Sequence, residues 1–390
     1  MIALNWTSRA AIALALWAAT AASACSPSRG AGSLIDAGSA NEWSVLDLPT
    51  RTNLWAIHGV GTDLYLAGDD GTILRTADAA RTWVDVSVAP ASVGATIQSY
   101  PSFHSIGASA ADDVWVAGIA SFTSGVLMHT IDRGQSWQRV DVGTSSVLNG
   151  VWPIDRDRVL VTTGDGQILG TTDGGAHWTA VFSDPRMVLF GCWGSASNDL
   201  YVVGGVATAS DGDAGANPSD GGMAPDGGAN TTTTYPGVVL HSSDAGVSWQ
   251  TVADAATACL LWHVSGTPDG ATVYVAGNCG SVAHTTDHGA SWSRSGTAAV
   301  GYDDFEISDV WVSPTGTSYL LEDGSGFNPA TPADQHVCRA IDVEPFIMGT
   351  AGCERLPPSG GFSASPAGVW GTADDDVWIV SSSSILWHRS

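Results

Sequence analysis

The stretch Thr130-Ile-Asp-Arg-Gly-Gln-Ser-Trp137 carries a pattern that recurs along the chain: a hydroxyl residue, Asp two positions later, Gly after two more and Trp after three more. Three further clean copies begin at Thr171, Ser242 and Thr285. A degenerate copy beginning at Thr76 has Ala80 in place of the glycine. Asp accepts hydrogen bonds from turn amides, Gly adopts positive φ and Trp supplies an apolar anchor. Since an apolar run precedes each copy, the pattern predicts a strand, a tight turn and a returning strand.

These turns are predicted to be structural. Their aspartates are Asp78, Asp132, Asp173, Asp244 and Asp287. Their tryptophans are Trp83, Trp137, Trp178, Trp249 and Trp292. Two more strand-like runs lie upstream of each turn, which gives four strands in each repeat. Four short antiparallel strands in a repeat of about 40 to 50 residues are typical of a β-propeller blade.

The number of blades follows from the first strand of each repeat. These strands share one column of small apolar residues: Ile57, Ile106, Val151, Cys192, Val264, Val310 and Val369. The last repeat stops after its third strand, and Trp43–Leu48 resembles the missing fourth strand. We therefore predict an all-β protein, a seven-bladed propeller of four-stranded antiparallel blades closed by an N-terminal strand, which also covers an otherwise open edge.

The first 40 residues are predicted to be a targeting segment. A short apolar run and Ala22-Ser-Ala24 precede Cys25, so residues 1–24 are typical of a cleaved signal peptide. Cys25 resembles the lipid-bearing cysteine of bacterial lipoproteins, although ordinary cleavage would give the same N-terminus without lipid. Residues 25–40 then form a flexible tether, and residues 41–390 form the propeller, with a low-complexity insertion at 207–237 in the fourth blade. The expected location is the outer membrane or cell surface, otherwise periplasmic or secreted.

The net charge of the chain argues against polyanionic partners. The chain has a formal net charge of −25, and all of its basic residues are arginines. Such a field repels nucleic acids and anionic lipid surfaces. We expect no nucleic-acid partner, membrane contact only through the N-terminal lipid, and a monomer.

The cysteines are consistent with an oxidising compartment. Antiparallel neighbouring strands bring Cys259 close to Cys279, and Cys338 and Cys353 lie on the third and fourth strands of the sixth blade. Both pairs are predicted disulfides. Cys192 occupies the apolar column and is expected to be a buried small side chain rather than a nucleophile.

Motifs of catalysis are missing from the sequence: no G-x-S-x-G, H-E-x-x-H, P-loop or C-x-x-C occurs. His129, His241 and His284 share one third-strand column with Arg75, so they are expected to be repeat positions, and neither a metal nor a cofactor is expected. The alternative to a non-catalytic protein is a glycoside hydrolase that uses a pair of carboxylates near the sixth blade. Its candidates are Asp303, Asp304 and Glu306.

The repeated turn is similar to the Asp-box, or BNR repeat, of sialidases, sortilin-type receptors, xyloglucanases and photosystem II assembly factors. The resemblance covers nearly all of the chain after its targeting segment and implies a propeller, but the Asp-box is structural in all of these families. The Arg-Ile-Pro segment of sialidases is missing, and the chain is long enough for one propeller, whereas xyloglucanases pair two. Single-propeller assembly factors match best in size, although their arginine patch has no counterpart in so acidic a chain.

The resemblance and the residues together indicate a non-catalytic exported lipoprotein that binds or scaffolds an envelope protein or a glycan. Long connections gather on one face of the predicted propeller, and variable loops on a rigid scaffold commonly form binding sites. The candidate binding residues on that face are Tyr100, Phe103, Tyr302, Phe305, Asp309 and Phe327.

Overall fold

The computed structural model describes residues 43–88, 101–121, 124–196, 198–207, 235–295, 306–323, 336–340, 353–357 and 365–390. All strands in these ranges belong to seven four-stranded antiparallel sheets. The predicted seven-bladed β-propeller is therefore confirmed. No helix in the described ranges is long and apolar enough to cross a membrane.

Each blade has an inner, a second, a third and an outer strand, and the blades are numbered in chain order of their inner strands. The inner strands are Leu54–Val60, Ser102–Ala110, Leu148–Pro153, Met187–Ala196, Leu261–Gly266, Glu306–Val312 and Pro366–Ala373. The second strands are Asp63–Gly68, Asp113–Ser121, Val159–Thr163, Asp199–Val206, Val273–Gly277, Ser318–Asp323 and Asp376–Ser381. The third strands are Ile73–Thr76, Ser124–Thr130, Gln167–Thr171, Gly237–Ser242, Val282–Thr285, His336–Ala340 and Leu386–Arg389. The outer strands are Val84–Asp85, Gln138–Val140, Thr179–Ser183, Gln250–Thr251, Ser293–Ser295, Cys353–Arg355 and, for blade seven, Ser44–Leu46.

The N-terminal strand closes the ring as predicted. Ser44–Leu46 pairs antiparallel with Leu386–Arg389, the third strand of blade seven. Trp43 is buried, and its indole N–H donates to the Glu354 carboxylate of blade six at 3.2 Å. Arg389 donates to both oxygens of the same carboxylate at 2.9 Å. Glu354 thus ties the first and last described strands to blade six.

Antiparallel order divides the connections between two faces. Connections from second to third strands, and from outer strands to the next inner strand, emerge on one face, which we call the loop face. Connections from inner to second strands emerge on the other, together with the Asp-box turns between third and outer strands. We call this the Asp-box face.

Hydrogen bonds explain the Asp-box turns. In blade two the Thr130 hydroxyl donates to Asp132 Oδ1 at 2.7 Å and accepts the backbone N–H of Gly134 at 2.9 Å. Asp132 also accepts the backbone N–H of Ser136 at 2.9 Å, and Gly134 has a φ of +79°. The same bonds recur in the other four copies. They lower the pKa of Asp132 to about 2, with the side-chain bond from Ser136 as the largest cause.

The Asp-box tryptophans are half-buried and pack against the hydrophobic cores between blades. Trp137 donates its indole N–H to the backbone oxygen of Val86 in the preceding blade at 2.8 Å. The indoles of Trp178 and Trp249 donate to the glycine carbonyls of their own turns, both at 3.1 Å. The turns thus anchor the blades, in keeping with a structural role.

The repeated histidines are also accounted for by packing. His129 pairs with Asp113 at 2.7 Å and stacks on the Trp115 ring, with centroids 3.7 Å apart, and Asp113 also accepts the Ser109 hydroxyl. Equivalent stacked pairs lie in blades four and seven, made by His241 on Tyr201 and His388 on Trp378. Arg75 replaces the histidine in blade one and pairs with Asp63. These side chains link strands within a blade.

Both predicted disulfides are present, Cys259–Cys279 and Cys338–Cys353. Cys192 is the free cysteine of the described residues. It lies in the predicted column, but the expectation of full burial is wrong, because the residue is partly exposed toward the central channel. Burial of its thiol raises its pKa to about 12, so it lacks the thiolate character of a nucleophile.

Candidate functional site

Six of the nine predicted catalytic or binding residues and the predicted lipid site lie outside the described residues. These are Tyr100, Tyr302, Asp303, Asp304, Phe305 and Phe327, as well as the lipid candidate Cys25.

The prediction that Phe103 contributes to a binding surface is wrong. Phe103 is fully buried. It is the second residue of the inner strand of blade two, three residues before the channel position Ile106. The residues at this position in the preceding and following blades, Leu54 and Leu148, are buried too. The column was visible in the sequence, and it places Phe103 in the core.

The two described acids of blade six lie at different places. Glu306 begins the inner strand and forms an isolated backbone bridge with Asn278 of blade five. Asp309 lines the central channel, where Oδ2 accepts the backbone N–H of Val369 at 2.8 Å and Oδ1 lies 3.0 Å from His263 Nδ1. Asp309 thus joins blades five, six and seven. Among the described residues it is the single carboxylate that lines the channel, so no second acid there completes the pair a glycoside hydrolase needs.

The described residues enclose a cavity of about 200 Å³ in the central channel. Its middle is a ring formed by the predicted column, one residue from each inner strand. We call this the aliphatic ring: Ile57, Ile106, Val151, Cys192, Val264, Val310 and Val369. The sequence pattern that counted the blades therefore also predicted the channel wall.

Each inner strand has a shift in register just before the aliphatic ring. The shift lies between Leu54 and Ala56 in blade one, and an equivalent one occurs in every other blade. A bulge leaves one residue unpaired and turns its side chain away from the regular alternation. Because inner strands start on the loop face, these bulges form the loop-side mouth of the channel.

The loop-side mouth carries aromatic side chains that sequence analysis missed. Trp55 and His104 meet edge to face with centroids 6.0 Å apart, and Phe190 contacts Trp262 in the same manner at 4.3 Å. All four lie two residues before the aliphatic ring. The position was recognisable as a second column upstream of the first.

Polar residues at the ends of the second strands fix the two indoles. Trp55 donates to Asp69 Oδ1 at 2.7 Å, and Trp262 donates to Asn278 Oδ1 at 2.5 Å. Asp69 and Asn278 each follow the glycine that ends the second strand of their blade. Asp69 also accepts the Ser102 hydroxyl, which in turn contacts His104 Nε2 at 2.7 Å. The mouth is therefore held by hydrogen bonds before any partner arrives.

Bulkier rings line the Asp-box side of the channel, one residue after the aliphatic ring. They are Trp152, Trp193, Trp311, Trp370 and, in blade one, His58. Burial lowers the pKa of His58 to about 4, and likewise that of His104 at the opposite mouth. Both imidazoles are neutral at physiological pH.

The four tryptophans pack on glycines of the following blade. A Cβ atom at Gly59 would lie 2.6 Å from Trp370 Cη2, and one at Gly266 would lie 2.6 Å from Trp193 Cη2. Gly371 and Gly194 receive Trp311 and Trp152 in the same way, at 2.7 and 3.3 Å. In three blades the residue after the aliphatic ring is not tryptophan, and the following blade then carries a residue larger than glycine at the facing position. These pairs are His58 with Ala108, Gly107 with Pro153, and Ser265 with Val312. The rule holds in all seven blades, so each blade interlocks with the next.

The described channel carries no group of three or more metal-ligating side chains. Its chemistry is that of a preformed pore with aliphatic, aromatic and polar side chains and one carboxylate at Asp309. Such a lining suits recognition of a ligand group better than bond-making chemistry.

Comparison with known proteins identifies related chains. The family model described as "Photosynthesis system II assembly factor YCF48" matches residues 35–216. The photosystem II assembly lipoprotein Ycf48 of Synechococcus sp. (strain CC9902) is 26% identical over 161 residues, which are 38% of this chain and 43% of that protein. The matched segment thus spans less than half of the relative's length.

Solved structures agree on the architecture. A structure of YCF48 bound to a D1 peptide has a TM-score of 0.58 and 17% identity, covering 91% of this chain and 99% of the other. The GH74 xyloglucanase of Xanthomonas campestris has a TM-score of 0.61 and 16% identity, covering 90% of this chain and 54% of the enzyme. At these identities the structural likeness shows the fold.

Residues 35–216 thus resemble the photosystem II assembly-factor family, and the described residues form a single seven-bladed propeller. The resemblance inferred from the repeated turns is thereby confirmed. The sequence-level matches are assembly factors, whereas the glycoside hydrolases match in fold, which agrees with the expectation of a non-catalytic protein.

The expected outer-membrane or cell-surface location is wrong. The sequence-level match is a photosystem II assembly lipoprotein, not an outer-membrane or surface protein. The expected location rested on the short targeting segment alone, which carries less weight than a match over 161 residues.

Proposed function

We propose that this propeller is an exported, non-catalytic binding module that holds a segment of a protein partner against its loop face during assembly of a larger complex. The observation that carries the proposal is the sequence-level match to an assembly lipoprotein, because it separates this chain from the many propellers that share only its fold. The solved YCF48 with a bound D1 peptide supports a peptide segment as the ligand.

The loop-side mouth suits such a partner. Small residues alternate there with aromatic ones, since Asn149, Ser308 and Ala367 occupy the bulge position in blades three, six and seven. On the Asp-box side, five bulky rings occupy the corresponding layer. The layer with fewer bulky rings faces the loops, and a partner segment would enter there.

A protein partner agrees better with this mouth than the alternative glycan partner. Rigid, half-buried aromatic residues such as Trp55 and Phe190 are typical anchors of protein interfaces. Tyr302 and Phe327 remain sequence-based candidates for further anchors on this face. We also propose that Cys25 carries a lipid that holds the module at a membrane.

The test is capture of partners by the full-length protein from a detergent extract of its own membranes, with cross-linking and mass spectrometry. Phe190→Ala and the double variant Tyr302→Ala/Phe327→Ala should lose the captured protein. Val247→Ala removes an equally apolar side chain, 77% exposed on the Asp-box face, and should retain it. Loss with Val247→Ala and retention with the loop-face variants would place the binding surface on the opposite face.

The lipid is tested separately. Mass spectrometry of the membrane-bound protein should find a lipid on Cys25, and Cys25→Ser should release the protein into the soluble fraction. An unmodified Cys25 at the mature N-terminus would contradict the anchor without affecting the binding proposal.

A further inference from the structure

The charge of the central channel is one-sided. Asp309 lines it, and no described arginine does. Lysine is missing from the whole sequence, and the chain carries a formal net charge of −25. Three histidines also line the channel, His58, His104 and His263. The field of the whole protein and Asp309 disfavour an anionic ligand there and favour a cation.

The walls add a second attraction for cations. Trp55 lies at the loop-side mouth, and Trp152, Trp193, Trp311 and Trp370 lie beyond the aliphatic ring. The faces of indole rings attract ammonium and guanidinium groups, by about 0.5–1 kcal/mol at exposed sites and about 2 kcal/mol or more where water is excluded. The aliphatic ring lies between these layers and places apolar side chains around the same position.

Asp309 and the four tryptophans are spaced so that one charged group can contact both. One residue along a strand corresponds to about 3.3 Å. Asp309 precedes the aliphatic ring by one residue, and the four tryptophans follow it by one residue. A charged group at the level of the ring is therefore within reach of both.

We propose that the channel is a binding site for a basic side chain, lysine or arginine, which a protein partner inserts from the loop face. The methylene stem lies against Trp55, His104 and the aliphatic ring, and the charged end is held by Asp309 and by the indole faces. This inference rests on the proposed function, since it names the chemistry of the partner group.

The packing of Asp309 allows this role. Its Oδ2 accepts the N–H of Val369, and its Oδ1 accepts the N–H of Val310 and lies 3.0 Å from His263 Nδ1; these contacts fix its orientation. A carboxylate has about four acceptor positions, so one on Oδ2 remains for a cation.

The test uses small compounds that carry only the proposed group. The full-length protein is titrated by calorimetry and NMR with n-butylammonium, n-butylguanidinium and, as the neutral isostere, n-butanol. The two cations are expected to bind at least tenfold more tightly than n-butanol. Asp309→Asn keeps the shape and an acceptor oxygen for Val369, and should weaken both cations at least tenfold while leaving n-butanol unchanged.

Two further variants serve as controls. Asp254→Asn removes an exposed carboxylate of the loop face outside the channel and should change neither cation's affinity. Cys192→Phe fills the aliphatic ring without touching Asp309, and should abolish binding of all three compounds in protein that unfolds at the wild-type temperature. It keeps the test decisive if Asp309→Asn does not fold.

Three results would overturn the proposal: no binding of either cation, equal binding of n-butanol, or an equal loss with Asp254→Asn. Equal binding of n-butanol would identify an apolar cavity only. If the cations fail while the full-length protein still captures its partner through the loop face, the proposed function stands and the basic side chain does not.

Discussion

The interlock of tryptophan and glycine between blades can be tested by placing one methyl group in it. In Gly59→Ala the new Cβ would lie 2.6 Å from Trp370 Cη2 and 2.6 Å from Leu64 Cδ2. Real Cβ atoms do not approach neighbours so closely, so the indole must move. Trp370 also forms part of the channel wall and cannot shift without disturbing its neighbours. We expect a loss of about 1–3 kcal/mol in the free energy of unfolding, as for overpacked cores.

A double-mutant cycle isolates the contact. Trp370→Ala alone should cost about 2–4 kcal/mol, since the ring is partly buried. With the indole removed, the methyl group at residue 59 still meets Leu64 but no longer meets the ring, so the double variant should be more stable than the sum of the single effects predicts. The expected coupling is about 1–2 kcal/mol. The assay is urea unfolding followed by far-UV circular dichroism, with the disulfides intact.

The matched control lies at the equivalent position of blade two. Ala108 faces His58 instead of tryptophan, so Ala108→Gly should cost less than about 1 kcal/mol, the ordinary effect of glycine in a strand. Additive single effects, or a Gly59→Ala protein as stable as the wild type, would refute the idea that these glycines exist to receive the rings.

Three further predictions follow from closure, from the Asp-box and from the channel. Deletion of Ser44–Leu46 exposes the edge of blade seven and should abolish cooperative unfolding or cause aggregation, so a deletion variant with an unchanged melting temperature would contradict closure. Thr130→Val keeps the shape of a buried side chain but leaves the Gly134 N–H without its acceptor, and should cost about 1–3 kcal/mol in urea unfolding. His58, with its pKa lowered to about 4, stays neutral in the folded state while the unfolded chain takes up a proton near pH 6.5, so its contribution to stability is present above pH 6.5 and is lost as the pH falls toward 4. His58→Gln should therefore flatten the decline of the free energy of unfolding between pH 6.5 and 4, and an unchanged slope would exclude this residue as its source.

The sequence predicted those features that depend on repetition. One column with seven members predicted the number of blades and the aliphatic ring. Antiparallel pairing of neighbouring strands predicted both disulfides. Closure by the N-terminal strand followed from counting, since a blade with three strands leaves an unpaired edge. Each of these inferences needs only periodicity and the geometry of a sheet.

The candidate site was harder to predict because it depends on local departures from the repeat. An aromatic residue near a predicted loop suggested a binding role for Phe103, but the strand begins at Ser102 and places that ring in the core. Conversely, Trp55 and Trp262 seemed ordinary strand residues. Only the register shift at each inner strand turns them toward the mouth, and bulges leave no reliable mark in the alternation of apolar residues.

The layer of side chains one residue after the aliphatic ring makes the Asp-box side of the channel rigid and different from the loop side. Four blades place a tryptophan after the aliphatic ring and a glycine in the next blade to receive it, whereas Gly107 leaves a gap between blades one and three. His58 fills that gap, since its ring lies 6.2 Å from that of Trp152 and 6.3 Å from that of Trp370. Aromatic packing therefore continues past blade two, where Gly107 interrupts the tryptophan pattern. On the loop side, Asn149, Ser308 and Ala367 stand between the aromatic residues. A partner that enters from the loop face thus meets aromatic residues and Asp309 first and the interlocked rings of the Asp-box side last, which is why we assign recognition to the loop face.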